Sequence, residues 1–260
     1  MIYTMLPFNQ IKPAFAISLV LVSFTNYSAP ISAQPNRPAT HRYDRIQIYF
    51  LDGGTQGRPT KRVDTSTRGP GSPCPSTDTP LVALIPEKNI GLAVEENPTF
   101  WFYIPYKPDQ ITSGKFVLSD ESGKEIYQTS LTSVGTPGLV NFRLPSEIPL
   151  EINKEYQWKL TLNCASHDVS VHGWVQRVAQ PDLERQLQTA TPRERIALYA
   201  KNGIWYTALN DLAKLRISEP QNRTFAEDWT NLLKEVDLET LANQPIVGSI
   251  KVNSPPERRQ

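Results

Sequence analysis

Between residues 80 and 179 the apolar residues come in short runs separated by turn residues. Candidate strands are Leu81–Ile85, Thr99–Ile104, Lys115–Ser119, Glu125–Leu131, Leu139–Leu144, Tyr156–Cys164 and Val169–Val178. Asp120-Glu121-Ser122-Gly123 and Gly135-Thr136-Pro137-Gly138 supply turn chemistry between them. Short strands in about 100 residues, with turn signals every eight to twelve, predict an antiparallel, immunoglobulin-like β-sandwich. Alternation tells which way the side chains face. Tyr156, Trp158, Leu160, Leu162 and Cys164 share one face of their strand, and Gln157, Lys159, Thr161 and Asn163 share the other. Val140, Phe142 and Leu144 repeat the period.

Two strands depart from that pattern. In Thr99–Ile104, Phe100, Phe102 and Ile104 fall on one face, but Trp101 and Tyr103 fall on the other. In Val169–Val178, Val169, Val171 and Val175 point inward and leave His172 and Trp174 opposite. Aromatic side chains on a sheet's second face call for a cover or a ligand.

After Gln180 the period lengthens to that of helices. Pro181–Thr189 reads as helical, and Thr191-Pro192-Arg193-Glu194 is a capping box with proline at the first helical position. That helix runs to Asn202, with Gly203 as its left-handed stop. The next, Ile204–Arg216, spaces Trp205, Ala208, Leu209, Leu212 and Leu215 on one side and closes before Pro220. A second capping box, Thr224 to Glu227, opens a helix carrying Phe225, Trp229, Leu232, Leu233 and Val236. The residues from Ile250 onward are expected to fray. Tyr199, Gly203, Trp205, Ala208, Leu212 and Pro220 match the spacing of a single tetratricopeptide unit, although Pro192, Arg195 and Ile196 replace its opening residues. One such unit cannot hide its own apolar side. The helices are therefore expected to lean on the sandwich, over Trp101, Tyr103 and Trp174; an open ligand patch is the alternative.

Residues 34–79 are unlike the rest. Pro, Gly, Thr and Arg dominate, and after Tyr43–Leu51 no apolar period remains to offset the entropy of ordering. The expectation is a flexible arm tied down near its end by Cys74, with Ile46–Leu51 able to add one strand. Ahead of it, Lys12, the apolar run Ala14–Phe24 and a small-residue segment ending at Ala33 have the order of a cleavable signal peptide, residues 1–33. The run is about half the ~20 residues that a membrane-spanning helix needs. The plan is thus leader 1–33, arm 34–79, β-sandwich 80–179 and helical segment 180–260.

The chain carries 27 Lys and Arg against 26 Asp and Glu. Loss of the leader takes away Lys12 and balances the total, which gives no support for generic nucleic-acid binding. Residues 34–80 hold seven Lys and Arg against four Asp, so the arm is basic and the remainder acidic. Two cysteines remain, Cys74 and Cys164. In an exported chain an even count favours a disulfide. A redox pair would be expected to show Cys-x-x-Cys spacing.

Little of the commoner enzyme chemistry is present. The three histidines are His41, His167 and His172, and the last two fall on opposite faces of a strand, which disfavours a shared metal. Neither a Gly-x-Ser-x-Gly elbow nor a Ser-x-x-Lys occurs. Gly53-Gly54 and Gly69-Pro70-Gly71 lack the lysine and strand–helix context of a phosphate cradle. Glu95 and Glu96 are adjacent and point apart, a poor arrangement for paired-carboxylate hydrolysis. Asn222-Arg223-Thr224 matches a glycosylation acceptor but suits a helix cap better.

The Arg-Gly-rich stretch before Cys74, Leu81–Tyr106 (LVALIPEKNIGLAVEENPTFWFYIPY), the Gly-Thr-Pro-Gly turn, YQWKLTLNC, VHGWVQRV and ERIALYAKNGIWYTALNDLAKLR together resemble a cyanobacterial family of exported proteins known as domain of unknown function 928. The resemblance covers nearly all of the chain after the leader; the arm here is poorer in glycine. It implies export and a paired cysteine, and it brings no catalytic residue or cofactor. The expectation is a non-catalytic periplasmic or extracellular envelope protein that interacts with a protein or a surface polymer. The alternative is a glycan-binding module that uses Trp101, Tyr103 and Trp174, with His172 beside them; an envelope hydrolase ranks third.

Overall fold

The computed structural model describes residues 46–50, 58, 60–64, 74–75, 77–133, 137–164 and 167–252. The leader, the Ala33 cleavage point and His41 lie outside these residues. Among these residues ten strands and four α-helices follow in order: β1 Val82–Ala83, β2 Gly91–Ala93, β3 Thr99–Ile104, β4 Ser113–Ser119, β5 Glu125–Ser133, β6 Gly138–Arg143, β7 Glu155–Cys164, β8 His167–Arg177, α1 Pro181–Leu187, α2 Pro192–Lys201, α3 Trp205–Ser218, α4 Arg223–Lys234, β9 Ile246–Ser249 and β10 Lys251–Val252.

The strands form two sheets, β1-β3-β6-β9 and β10-β5-β4-β7-β8-β2. Their facing sides hold the aromatic residues that alternation turned inward. Phe116 of the six-stranded sheet meets Phe100 and Phe142 of the four-stranded sheet at 5.2 and 4.3 Å between ring centroids. Trp158 lies 5.5 Å from both Phe100 and Phe102. All five are buried. Burying side chains of this size contributes about 1.5–3 kcal/mol each, and the tilted and edge-on ring geometries add to it.

The sheets are mixed, which corrects the expectation of a purely antiparallel sandwich. β2 runs parallel to β8, and β9 runs parallel to β6. Parallel neighbours need a long crossover. Here β9 arrives only after β7, β8 and all four helices have been laid down. Hairpin turns reveal neighbours joined by short loops and are silent about partners joined by long ones.

Residues 46–50 and 60–64 also depart from the flexible arm expected over 34–79. Ile46 and Ile48 are buried, and the Tyr49 amide donates to the Ala200 carbonyl at the end of α2, 3.1 Å away. Residues 61–64 join both sheets at once. The amides of Lys61 and His172 each donate to the other's carbonyl at 3.0 Å, which extends β8. Ala83 donates to Arg62 at 2.8 Å and Asp64 to Leu81 at 3.1 Å, which extends β1. The opposite side is closed by β9 and β10, which pair with β6 and β5 respectively. Gly248, within β9, has φ +131°, a conformation that favours glycine. Ile246–Val252 is thus a seam of its own, and residues 250–252 of it lie where a frayed end was expected.

The helices belong to the same compact unit, residues 42–260. The Thr191–Glu194 capping box forms with both of its hydrogen bonds. Gly203, at φ +70°, turns α2 into α3. The cap of α4 is Asn222, whose side chain accepts from the Thr224 amide at 3.1 Å; the box expected at Thr224 starts two residues late. Arg193 grips the buried Asp228 carboxylate at 2.6 and 2.9 Å and joins the first turn of α2 to α4. Tyr206 of α3 enters the interior: its hydroxyl accepts from Trp158 Nε1 at 2.8 Å and donates to the Trp174 carbonyl at 2.9 Å. Trp205 Nε1 donates to the Leu84 carbonyl at 2.9 Å.

Candidate interaction face

Six residues were singled out by sequence, and the structure separates them into three groups. Cys74 and Cys164 are joined in a disulfide that spans 90 residues of chain. Cys164 ends the inward row of β7, so the bond fixes the arm ten residues beyond Asp64. Trp101 and Tyr103, on the outer face of the four-stranded sheet, are 2% and 7% exposed. Trp229 of α4 lies edge-on to Trp101 at 6.4 Å, so a helix does cover it. Burial raises the Tyr103 hydroxyl above its ordinary pKa.

Trp174 and His172 form the third group, on the outer face of the six-stranded sheet. Trp174 is 8% exposed, and its cover differs from the one expected. The Arg58 guanidinium lies 4.6 Å above its ring and pairs with Glu155 at 2.9 Å. Cation–π contacts of this kind contribute about 0.5–2 kcal/mol. With all three rings buried, Trp101, Tyr103 and Trp174 form no platform on which a sugar could stack, and the glycan module read from them is set aside.

What the outer face of the six-stranded sheet does present follows from register. Gly114, Phe116 and Leu118 of β4 point inward, leaving Ser113, Lys115, Val117 and Ser119 outward. Val117 lies opposite Gln128 on one side and Lys159 on the other, and Lys159 lies opposite His172. Lys61 bridges His172 at the far edge. One row across the sheet therefore reads Gln128, Val117, Lys159, His172, Lys61. The next reads Ser130, Lys115, Thr161, Ser170. Among the described residues, acids stand at the ends of this surface: Asp168 accepts from Asn163 Nδ2, Glu155 is held by Arg58, and Asp64 lies at the edge beside Ser170 and Lys61.

Electrostatics follows the same map. The half-buried His172 ring has its pKa lowered, first by burial and then by the positive charges of Lys159 and Lys61. Asp64, buried at the seam, accepts from the Ser170 amide and from Lys61 Nζ, the latter at 3.1 Å. Tyr106 faces that carboxylate: burial, then Asp64, pushes its hydroxyl up to about 12. Lys159 was legible from alternation. Lys61, Asp64 and Arg58 were not, because nothing in the arm's composition marks which of its residues meet the sheet.

The acids considered for chemistry are engaged separately. Glu95 accepts from the Thr207 hydroxyl at 2.5 Å, and Glu96 pairs with Arg177 at 3.0 Å. Among the described residues no group of three or more His, Cys, Asp or Glu is placed to hold a metal ion. The His167 side chain and the Gly135-Thr136 half of the expected turn lie outside them. No described helix is long and apolar enough to cross a membrane.

Three solved structures are weakly similar. A CopC from Methylosinus trichosporium OB3b aligns with a TM-score of 0.26 and 14% identity, over 35% of this chain and 87% of its own. An AA10 lytic polysaccharide monooxygenase from Streptomyces lividans aligns at 0.27 and 10%, over 47% and 80%. Astrotactin-2, a vertebrate-specific, perforin-like membrane protein, aligns at 0.24 and 11%, over 63% and 34%. Scores this low carry no argument about this chain. No curated protein matches it. The family model for a domain of unknown function, DUF928, matches residues 63–246, which take in β1 to β8, Asp64 and all four α-helices and stop at the first residue of β9, and the chain belongs to that family.

Proposed function

We propose that this is a non-catalytic, exported envelope protein that works by binding a protein or a surface polymer. The observation that carries the reading is the outer face of the six-stranded sheet. It presents a broad run of lysine, amide and hydroxyl side chains on a frame whose large aromatic rings are turned inward or covered. The Cys74–Cys164 bond supports export, because such bonds persist where thiols oxidise. The engagement of Glu95 by Thr207 and of Glu96 by Arg177, apart from Asp64 and His172 at Lys61, supports a binding role over turnover.

The experiment is recovery of the protein from cells, followed by capture from envelope fractions. The expected product lacks residues 1–33, resists alkylation at Cys74 and Cys164, retains an envelope component, and releases no product from peptidoglycan or envelope polysaccharide. An intact leader with both sulfurs alkylatable defeats the export reading, and catalytic turnover defeats the binding one.

A further inference from the structure

We infer that the outer face of the six-stranded sheet docks an acidic polysaccharide, with Lys159, His172, Lys61 and Lys115 receiving its anionic groups. The inference rests on the binding role proposed above and names the partner. Three observations converge on it. The first is the crowding of like charge. Lys159 stands directly across from His172, with Lys61 on its other side and Lys115 diagonal to Lys159. Lys115 and Lys159 are diagonal neighbours, about 7–8 Å apart, and His172 adds a like charge directly opposite Lys159 whenever it is protonated, so positive charge on this row is self-repelling. Asp64 offsets Lys61, but among the described residues no acid pairs with Lys115 or Lys159. An anion laid along the row removes that repulsion.

The second is the company these cations keep. Gln128, Ser130, Gln157, Thr161, Asn163 and Ser170 surround them. Amides and hydroxyls can donate and accept toward a hydroxyl-rich ligand at many points. The third is what the face lacks. Protein interfaces draw their energy from apolar and aromatic anchors. Among the described residues, the well-exposed large hydrophobics Tyr49, Ile152, Ile217 and Val247 lie outside the strands of this sheet; Ile126, on β5 two residues from Gln128, and Val252, on the edge strand β10, are single residues and form no apolar cluster beside Lys115 and Lys159.

The test uses the full oxidised protein and polygalacturonate as the probe, with neutral dextran and duplex DNA for comparison. Polygalacturonate is expected to bind, weakening as salt rises, while dextran does not. Lys115→Gln with Lys159→Gln is expected to weaken binding about tenfold, as two exposed charge contacts would. Lys214→Gln with Lys234→Gln changes the charge equally on the helices and should leave binding unaltered. A bound anion also raises the pKa of a neighbouring imidazole. His172, whose charged neighbours are Lys61, Asp64 and Arg58 from the arm and Lys159 from β7, should therefore titrate higher in the complex. Absence of binding, equal binding by the Lys115/Lys159 variant, or equal binding to duplex DNA overturns the inference. If that variant still captures envelope partners as the parent does, the binding role stands and the basic face falls.

Discussion

Tyr206 shows how much can depend on one hydroxyl. It is fully enclosed, and burial pushes its pKa well above the ordinary tyrosine value. Its oxygen satisfies Trp158 Nε1 and the Trp174 carbonyl together. Tyr206→Phe keeps the ring against Phe100 at 5.3 Å but strands both partners. A buried polar group left unpaired costs about 1–3 kcal/mol, so the urea midpoint should fall with the slope unchanged. His172 makes a separate prediction, about pH. Its folded pKa lies below its free value of about 6.5, since burial and the two lysines oppose its protonation. In that window the unfolded chain binds more protons than the folded one. Stability from this group is therefore complete above about pH 6.5 and is lost as pH falls below it. His172→Gln should flatten the difference between denaturation midpoints at pH 7 and pH 5.5, above the range where most carboxylates titrate. The inward or outward sense of these side chains was readable from alternation, yet what covers them was not. Trp174 was correctly placed opposite the valines of β8, but its cover is Arg58, more than a hundred residues away in the arm.

At the scale of elements, local rules served wherever the determinants were local. The Thr191–Glu194 box, the stop at Gly203 and the strands Thr99–Ile104 and Tyr156–Cys164 emerged within a residue or so of their sequence reading. β2, β9 and β10 were missed, since two- to four-residue strands carry too little pattern to announce themselves and exist only through their partners. The clearest test of a local rule is the α2–α3 turn. Gly203 sits at φ +70°, and a Cβ there would approach the Tyr49 carbonyl oxygen at 2.9 Å. Gly203→Ala thus combines left-handed strain with a clash against backbone, for a cost of about 2 kcal/mol or more. Thr191→Ala, which removes only a cap, should cost about 1 kcal/mol. Denaturant midpoints should fall in that order; a smaller loss for Gly203→Ala would show that the contact between Tyr49 and the turn yields easily.

For the whole molecule, the decisive feature is closure of the two-sheet frame at both sides by segments that belong to neither hairpin set. Ile246–Val252 closes one side, continuous with the helices that precede it. Residues 61–64 close the other, through four backbone hydrogen bonds and the buried Asp64. This second seam has a tether on its C-terminal side, because Cys74 is fixed to the end of β7 only ten residues later. In the chain-entropy account, cross-linking a loop of this size stabilises by about 4–5 kcal/mol, with measured effects often smaller. Cys74→Ser with Cys164→Ser should lower overall stability by about 2–5 kcal/mol. The loss should also have a location. With the tether cut, residues 61–64 can open without unfolding the rest, and amide exchange should quicken at Lys61, His172 and Ala83 well before it does in β4 or β7. Uniform acceleration across both sheets would mean that seam and core unfold as one unit, with the disulfide stabilising the fold as a whole. Unchanged protection at the seam would mean that Asp64 and its backbone partners suffice. Only site-specific opening makes the disulfide the clasp of this side of the frame, and it also predicts that reduction loosens Lys61 beside His172 while leaving Lys115 and Lys159 in place.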